Sequence, residues 1–238
     1  KHLEAYQSYL ETRKNQVRGG ALNQNTINNH IQTLQRYNTY RIKYDYKTLP
    51  VHVLKMAEAL EPTRNILTLH EIQRLYDTTE NTPYGYRDRA ILSIFYGCGL
   101  RCKEGVSLML DDVDLRKRYV HVRKGKGNKE RYVPMSKTIA DHLADYLYNG
   151  RSVLMKKKHD HFWVGQTGRP LEGVGMRYRL KKMLNKAGIN KAIHLHSLRH
   201  SIATHLLQSG MEIEKIAQFL GHVQLQTTQI YTHLADEL

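Results

Sequence analysis

In a chain whose apolar residues recur almost everywhere at helical spacing, one stretch alternates instead: Tyr119-Val120-His121-Val122 and Arg131-Tyr132-Val133-Pro134, on either side of Gly125-Lys126-Gly127-Asn128. Alternation at period two around a glycine-rich tip is the pattern of an antiparallel hairpin. The fold class this implies is mainly α with one small antiparallel β-sheet, and helices must then supply most of the core. Helices are predicted over 137–148, 173–187, 196–209, 212–220 and 227–235 after the hairpin. Before it, Ala90, Ile91, Ile94 and Phe95 mark a strongly apolar helix from Arg87 to Gly97, stopped by Gly97 and Gly99. Thr68 with Glu71 three residues later has the form of a capping box and opens a helix carrying Ile72 and Leu75. Internal repeats and low-complexity tracts are absent, which excludes a solenoid.

Residues 1–60 read as helical throughout, with Leu3, Tyr6 and Leu10 and then Ile27, Ile31, Leu34 and Tyr37 at helical spacing, split by a turn at Gly19-Gly20. The segment Thr26 to Lys43 is amphipathic and basic on its polar side. The pattern breaks at Glu61-Pro62-Thr63-Arg64. The expected organisation is a short helical domain over 1–60, a linker over 61–67 and a larger domain over 68–238. The chain opens on Lys1 rather than Met and is read as an excised piece of a longer protein.

Thirty-seven Lys and Arg face 22 Asp and Glu among the 238 residues, a formal charge of +15. Such an excess repels itself unless a polyanion compensates it, so nucleic acid is the first expected partner. A membrane partner is set aside, because mean hydropathy is −0.60 and no apolar run approaches the ~20 residues a spanning helix needs. Two cysteines, Cys98 and Cys102, are too few for a disulfide framework or a four-cysteine zinc site and read as small buried hydrophobes. A reducing interior, cytoplasm or nucleoid, is the expected setting. The charge is unevenly placed. Residues 116–131 hold eight basic residues and one acidic, residues 151–191 eleven and two, and residues 1–60 nine and four, whereas 61–115 and 192–238 are slightly acidic.

Four motifs can carry chemistry, and each has a plainer alternative. In His196-Ser197-Leu198-Arg199-His200, a helix buries Leu195, Leu198, Ile202 and Leu206 and sets His196, Arg199 and Ala203 together on the neighbouring face. That face offers an imidazole and a guanidinium to one ligand, or is merely solvated. Zinc between His196 and His200 is disfavoured, since Arg199 lies between them and no third ligand follows at metal spacing. Arg101, in Gly99-Leu100-Arg101-Cys102-Lys103-Glu104, pairs with Glu104 three residues on or presents a planar fork to a phosphodiester. Lys126 lies on a tip with Lys124, Lys129 and Arg131, where neighbouring cations lower an ammonium pKa toward proton donation; a charged tip is otherwise only solvated. Lys156, Lys157 and Lys158 form a further basic cluster, read as a contact to a nucleic-acid backbone or as only a solvated loop. Tyr231, behind Leu220-Gly221-His222, is one of sixteen tyrosines and by itself is most simply a packing residue.

Taken in order, these pieces resemble the tyrosine recombinase or phage integrase family, in its Xer-like form, whose pattern is Arg, Lys, His-x-x-Arg, His, Tyr. The chain supplies Arg101, Lys126, His196 with Arg199, His222 and Tyr231 in that order across 68–238. The resemblance implies a catalytic domain there, preceded by the latter part of a helical core-binding domain that clamps DNA. It implies site-specific cleavage and rejoining of double-stranded DNA through a 3′-phosphotyrosyl intermediate, without ATP, metal or other cofactor, by four protomers on two sites. In that scheme Tyr231 attacks, Arg101 and Arg199 hold the phosphate, Lys126 protonates the leaving 5′ oxygen, His196 assists proton transfer and His222 bonds the phosphate or orients its neighbours. Glu104 is a helper that positions an arginine. Gly105 departs from the family, which usually has a branched apolar residue there, and the expected consequence is looser packing beneath Arg101. A type IB topoisomerase shares this chemistry but rejoins the same strand. A non-catalytic DNA-binding module needs no nucleophile, and an RNA reader lacks its aromatic-bearing sheet here.

Overall fold

A computed structural model describes residues 2–16, 19–57, 65–123 and 130–221, and the chain separates into two compact units, 1–63 and 64–238. In the first, α1 (His2–Thr12) packs on α2 (Gln24–Lys43) around Leu10, Ile27, Ile31 and Leu54. Asn23 caps α2, its Oδ1 accepting from the Thr26 amide at 2.8 Å. The helical reading of 1–60 fails beyond Lys43. Tyr44 caps the helix, Asp45 turns to a positive φ of 58°, and the chain runs extended to a single 3-10 turn at Val51–Val53. The side chain of Asn38 accepts from the Leu49 amide at 2.6 Å and ties that extended run back to α2.

The second unit begins in its own core. Ile66 and Leu67, assigned to the linker by the sequence pattern, are buried, and the Leu67 amide donates to Ser201 Oγ at 3.0 Å. Thr68 then closes the expected capping box with Glu71 and starts α3 (Leu69–Asp77). Next comes α4 (Pro83–Leu92), which starts four residues earlier than the apolar periodicity indicated, because Thr82 Oγ1 caps the Gly85 amide and Pro83 suits a first turn. Ser93–Gly97 continue it as a π-helical turn, so the predicted helix to Gly97 is continuous but widens by one residue per turn at its end. After α5 (Cys102–Val106) the sheet forms: β1 (Val113–Asp114), β2 (Tyr119–Val122) and β3 (Arg131–Pro134), all antiparallel in the order β1-β2-β3. The register pairs Val120 with Val133 and Val122 with Arg131. The two-residue β1 has too little pattern to be seen in the sequence.

The remaining helices are α6 (Lys137–Asp145), a π-helical continuation over Tyr146–Arg151, α7 (Ser152–Leu154), α8 (Gly173–Lys186), α9 (Leu195–Gln208) and α10 (Ile213–Leu220). The helix expected over 227–235 lies outside the described residues. One continuous core joins Leu75, Ile91, Phe95, Leu143, Trp163, Leu180 and Leu198. Burial of this kind contributes roughly 25 cal/mol per Å² of apolar surface. Gly105 does not loosen it: a Cβ there would lie 2.5 Å from Phe95 Cε1 and 3.2 Å from Ile94 Cγ2, so the Phe95 ring already fills the space. Trp163 Nε1 also donates to the Gly105 carbonyl at 2.6 Å.

Cys98 is fully buried, its thiol pushed up to about 12 by burial, and Cys102 is half-buried against the same core. Among the described residues no helix is long and apolar enough to cross a membrane.

Candidate active site

α9 carries the His-x-x-Arg pair, and its surroundings differ from a simple two-faced helix. Packed between the π-helical turn on one side and α10 on the other, it buries Leu195, Leu198, Arg199, Ser201, Ala203, Thr204 and His205, while Ile202 and Leu206 are only partly covered. Arg199 is therefore not on a solvated face. Its side chain is 1% exposed, with Nη1 donating to the Gly99 carbonyl and Nη2 to the Leu220 carbonyl at 2.6 Å. His196, one turn earlier, stays exposed on its outer side and meets His200 edge to face, ring centroids 4.4 Å apart. Desolvation of its ring, then the charges of Arg199 and Arg101, lower its pKa, so the imidazole is neutral at physiological pH.

Arg101 is the N-cap of α5. Its Nη1 pairs with Glu104 Oε1 at 2.8 Å, and Nη2 donates to the Gly221 carbonyl at 2.7 Å. Arg101 is therefore paired with Glu104, as the three-residue spacing allows. Glu104 Oε2 also accepts from the Arg101 backbone amide at 2.9 Å. A second arginine completes the carboxylate: Arg131 Nη1 and Nη2 reach Glu104 Oε1 and Oε2 at 3.0 and 2.7 Å. Burial alone would raise the Glu104 pKa, but the hydrogen bonds from Arg131 and Arg101 outweigh it and hold it at about 2.

The C-terminus of α10 is where these groups converge. Gly221 ends the helix in the left-handed region, φ 65°, which glycine adopts without a Cβ penalty. A Cβ there would sit 2.6 Å from Arg131 Nε, so only glycine lets that guanidinium lie against the turn. Leu220 and Gly221 together offer one carbonyl to each of Arg199 and Arg101, immediately before His222 in sequence. Arg101, Arg199 and His196 are brought together, whereas Lys126, His222 and Tyr231, with Lys124 and Lys129, lie outside the described residues.

Lys156, Lys157 and Lys158 are exposed after α7. Arg131, grouped with the hairpin lysines by the sequence pattern, points inward to Glu104 instead of outward to a ligand. Strand parity carries the signal for this: Arg131 is two residues from buried Val133 and so shares its face. Among the described residues no group of three or more His, Cys, Asp or Glu could hold a metal ion.

A sequence model of the phage integrase family matches residues 65–237. The tyrosine recombinase XerD of Halalkalibacterium halodurans is 39% identical over 186 residues, which is 77% of this chain and 62% of that protein. The tyrosine recombinase XerC of Lacticaseibacillus casei is 36% identical over 214 residues, 88% of this chain and 72% of that one. In fold, a XerH site-specific recombinase bound to a palindromic difH substrate superposes with a TM-score of 0.73 over 98% of this chain and 69% of that chain, at 23% identity. With the family pattern matched across most of its length, the chain belongs to the phage integrase family as a Xer-like tyrosine recombinase.

Proposed function

We propose that the protein is a site-specific DNA recombinase that cleaves and rejoins double-stranded DNA through a 3′-phosphotyrosyl intermediate. The Tyr231 oxygen attacks the scissile phosphorus in line, the bond from phosphorus to the 5′ oxygen breaks, and the new ester conserves the phosphodiester energy, so no ATP is consumed. Lys126 delivers a proton to the departing 5′ oxygen, and neutral His196 is in the correct state to take one at the nucleophile. Arg101 and Arg199 hold the non-bridging oxygens, replacing the metal ions on which many phosphoryl-transfer sites depend. His222 bonds the phosphate or orients its neighbours. The observation that carries this reading is the convergence of Arg101 and Arg199 on the two carbonyls that end α10, with His196 alongside and His222 next in the chain.

The helical unit over 1–60 is a partial core-binding domain, and residues 68–238 the catalytic domain. Lys124, Lys129 and Lys156 to Lys158 contact the DNA backbone, four protomers act on two sites, and the protein works at the nucleoid. The test is capture of fragments of the source genome as detergent-resistant protein–DNA adducts. Wild-type protein traps a discrete fragment and Tyr231→Phe traps none. An adduct formed by the phenylalanine variant would overturn the assignment.

A further inference from the structure

Lys126 sits in the connection between β2 and β3, and both ends of that connection are tied down by arginine–carboxylate pairs. On the β2 side, Arg123 Nε donates to Asp112 Oδ1, a carboxylate only 6% exposed whose Oδ2 also accepts from the Met109 amide at 2.8 Å. On the β3 side, Arg131 grips both oxygens of Glu104. The two ties lead to different places. Asp112 leads to the short turn before β1, whereas Glu104 leads directly to Arg101, which it holds through both side chain and backbone. Arg131 is in addition laid against Gly221, and among the described residues its buried Nε has no hydrogen-bond partner.

We infer that Arg131 is a positioning residue of the cleavage reaction: through Glu104 it sets the base of the Lys126 connection in fixed relation to Arg101 and to the end of α10. This rests on the recombinase reading above, in which Lys126 is the proton donor. Arg131 lies five residues from Lys126 in sequence, with its guanidinium turned to Glu104. Its neighbours divide the labour by charge: one carboxylate between two guanidiniums leaves the trio with a net positive charge, so Glu104 orients the arginines without cancelling the field that favours a phosphate. A lysine in place of Arg131 keeps the charge but loses the planar two-pronged contact.

The experiment uses the full chain and the genomic site captured by the wild-type protein, prepared with oxygen or sulfur as the 5′-bridging atom at the cleaved phosphate. A 5′-thiolate departs without a proton, so sulfur relieves the need for a general acid. Arg131→Met and Arg131→Lys are compared with wild type, with melting curves recorded for each. Arg131→Lys, retaining a cation beside Glu104, is the variant expected to stay folded. Both are expected to slow cleavage of the oxygen substrate by about 10²-fold, the low end of a general-acid contribution, and to come within about tenfold of wild type on sulfur. Arg101→Lys, which weakens the phosphate grip, should stay slow on both. Equal losses on oxygen and sulfur for the Arg131 variants, or no loss on either, would overturn the inference while leaving the recombinase reading intact. A wild-type chain that captures no fragment would overturn both.

Discussion

The buried guanidinium of Arg199 donates to the Leu220 carbonyl 21 residues away in sequence, and through its other terminal nitrogen to the Gly99 carbonyl. One side chain thereby fixes α9, the end of α10 and the loop that precedes Arg101. A lysine cannot bridge two carbonyls with a planar fork. Arg199→Lys should lower the cleavage rate by roughly 10²–10³-fold, the scale of losing one preorganised donor to a phosphoryl transition state. The same variant should lower the melting temperature, since a buried charge loses partners; adduct formation and thermal melting measured in parallel would show both effects.

Glu104 should impose an acid limit on stability. Its folded pKa of about 2 lies below the ordinary 4.5, so the unfolded state binds the proton first. The contribution is complete above about pH 4.5 and is lost as pH falls toward 2. Glu104→Gln should be less stable than wild type at neutral pH. The gap between the two proteins in urea midpoint should narrow over that window.

For His196 the pH dependence follows the same direction with a different group. Its folded pKa lies below 6.5, as do those of His142 and His205, chiefly through desolvation in all three. Below pH 6.5 the unfolded state binds more protons than the native one, so stability is lost as pH falls from neutrality. Single-turnover cleavage should rise with pH through an inflection below 6.5 and level off at neutral pH. In His196→Asn that inflection should disappear from the rate profile.

Gly221 is held by two constraints, a left-handed φ of 65° and the Arg131 guanidinium against its α-carbon. Gly221→Ala should cost about 1–2 kcal/mol from the backbone alone. Displacement of Arg131 adds to that. If the close approach matters, Gly221→Ala and Arg131→Met combined should destabilise by less than the sum of the two, as a double-mutant cycle on denaturant midpoints would reveal.

Local sequence was enough for the parts of this protein governed by neighbouring residues. Thr68 and Glu71 announce the cap of α3, the alternation around Val120 and Val133 announces the hairpin, and Arg101 with Glu104 at three-residue spacing announces their ion pair. The ordered set Arg101, Lys126, His196, Arg199, His222 and Tyr231 identifies the family without coordinates. Features that depend on distant packing were not legible in the same way. The filling of the space over Gly105 depends on a ring ten residues earlier, and the extended run after Lys43 depends on Asn38 reaching Leu49.

The sequence by itself determined the chemical inventory and the class of fold, because capping, periodicity and hydrogen-bonding capacity act over a few residues. Only the tertiary structure decided which acceptors the inward-facing cations meet. Arg131 belongs to a basic stretch, yet it lies on the buried side of β3, where Glu104 compensates its charge. Arg199 is buried although its helix has exposed positions on either side, because two carbonyls from other segments replace its water. A guanidinium enters a protein interior only where acceptors from elsewhere in the chain are already in place, and that is a property of the assembled fold.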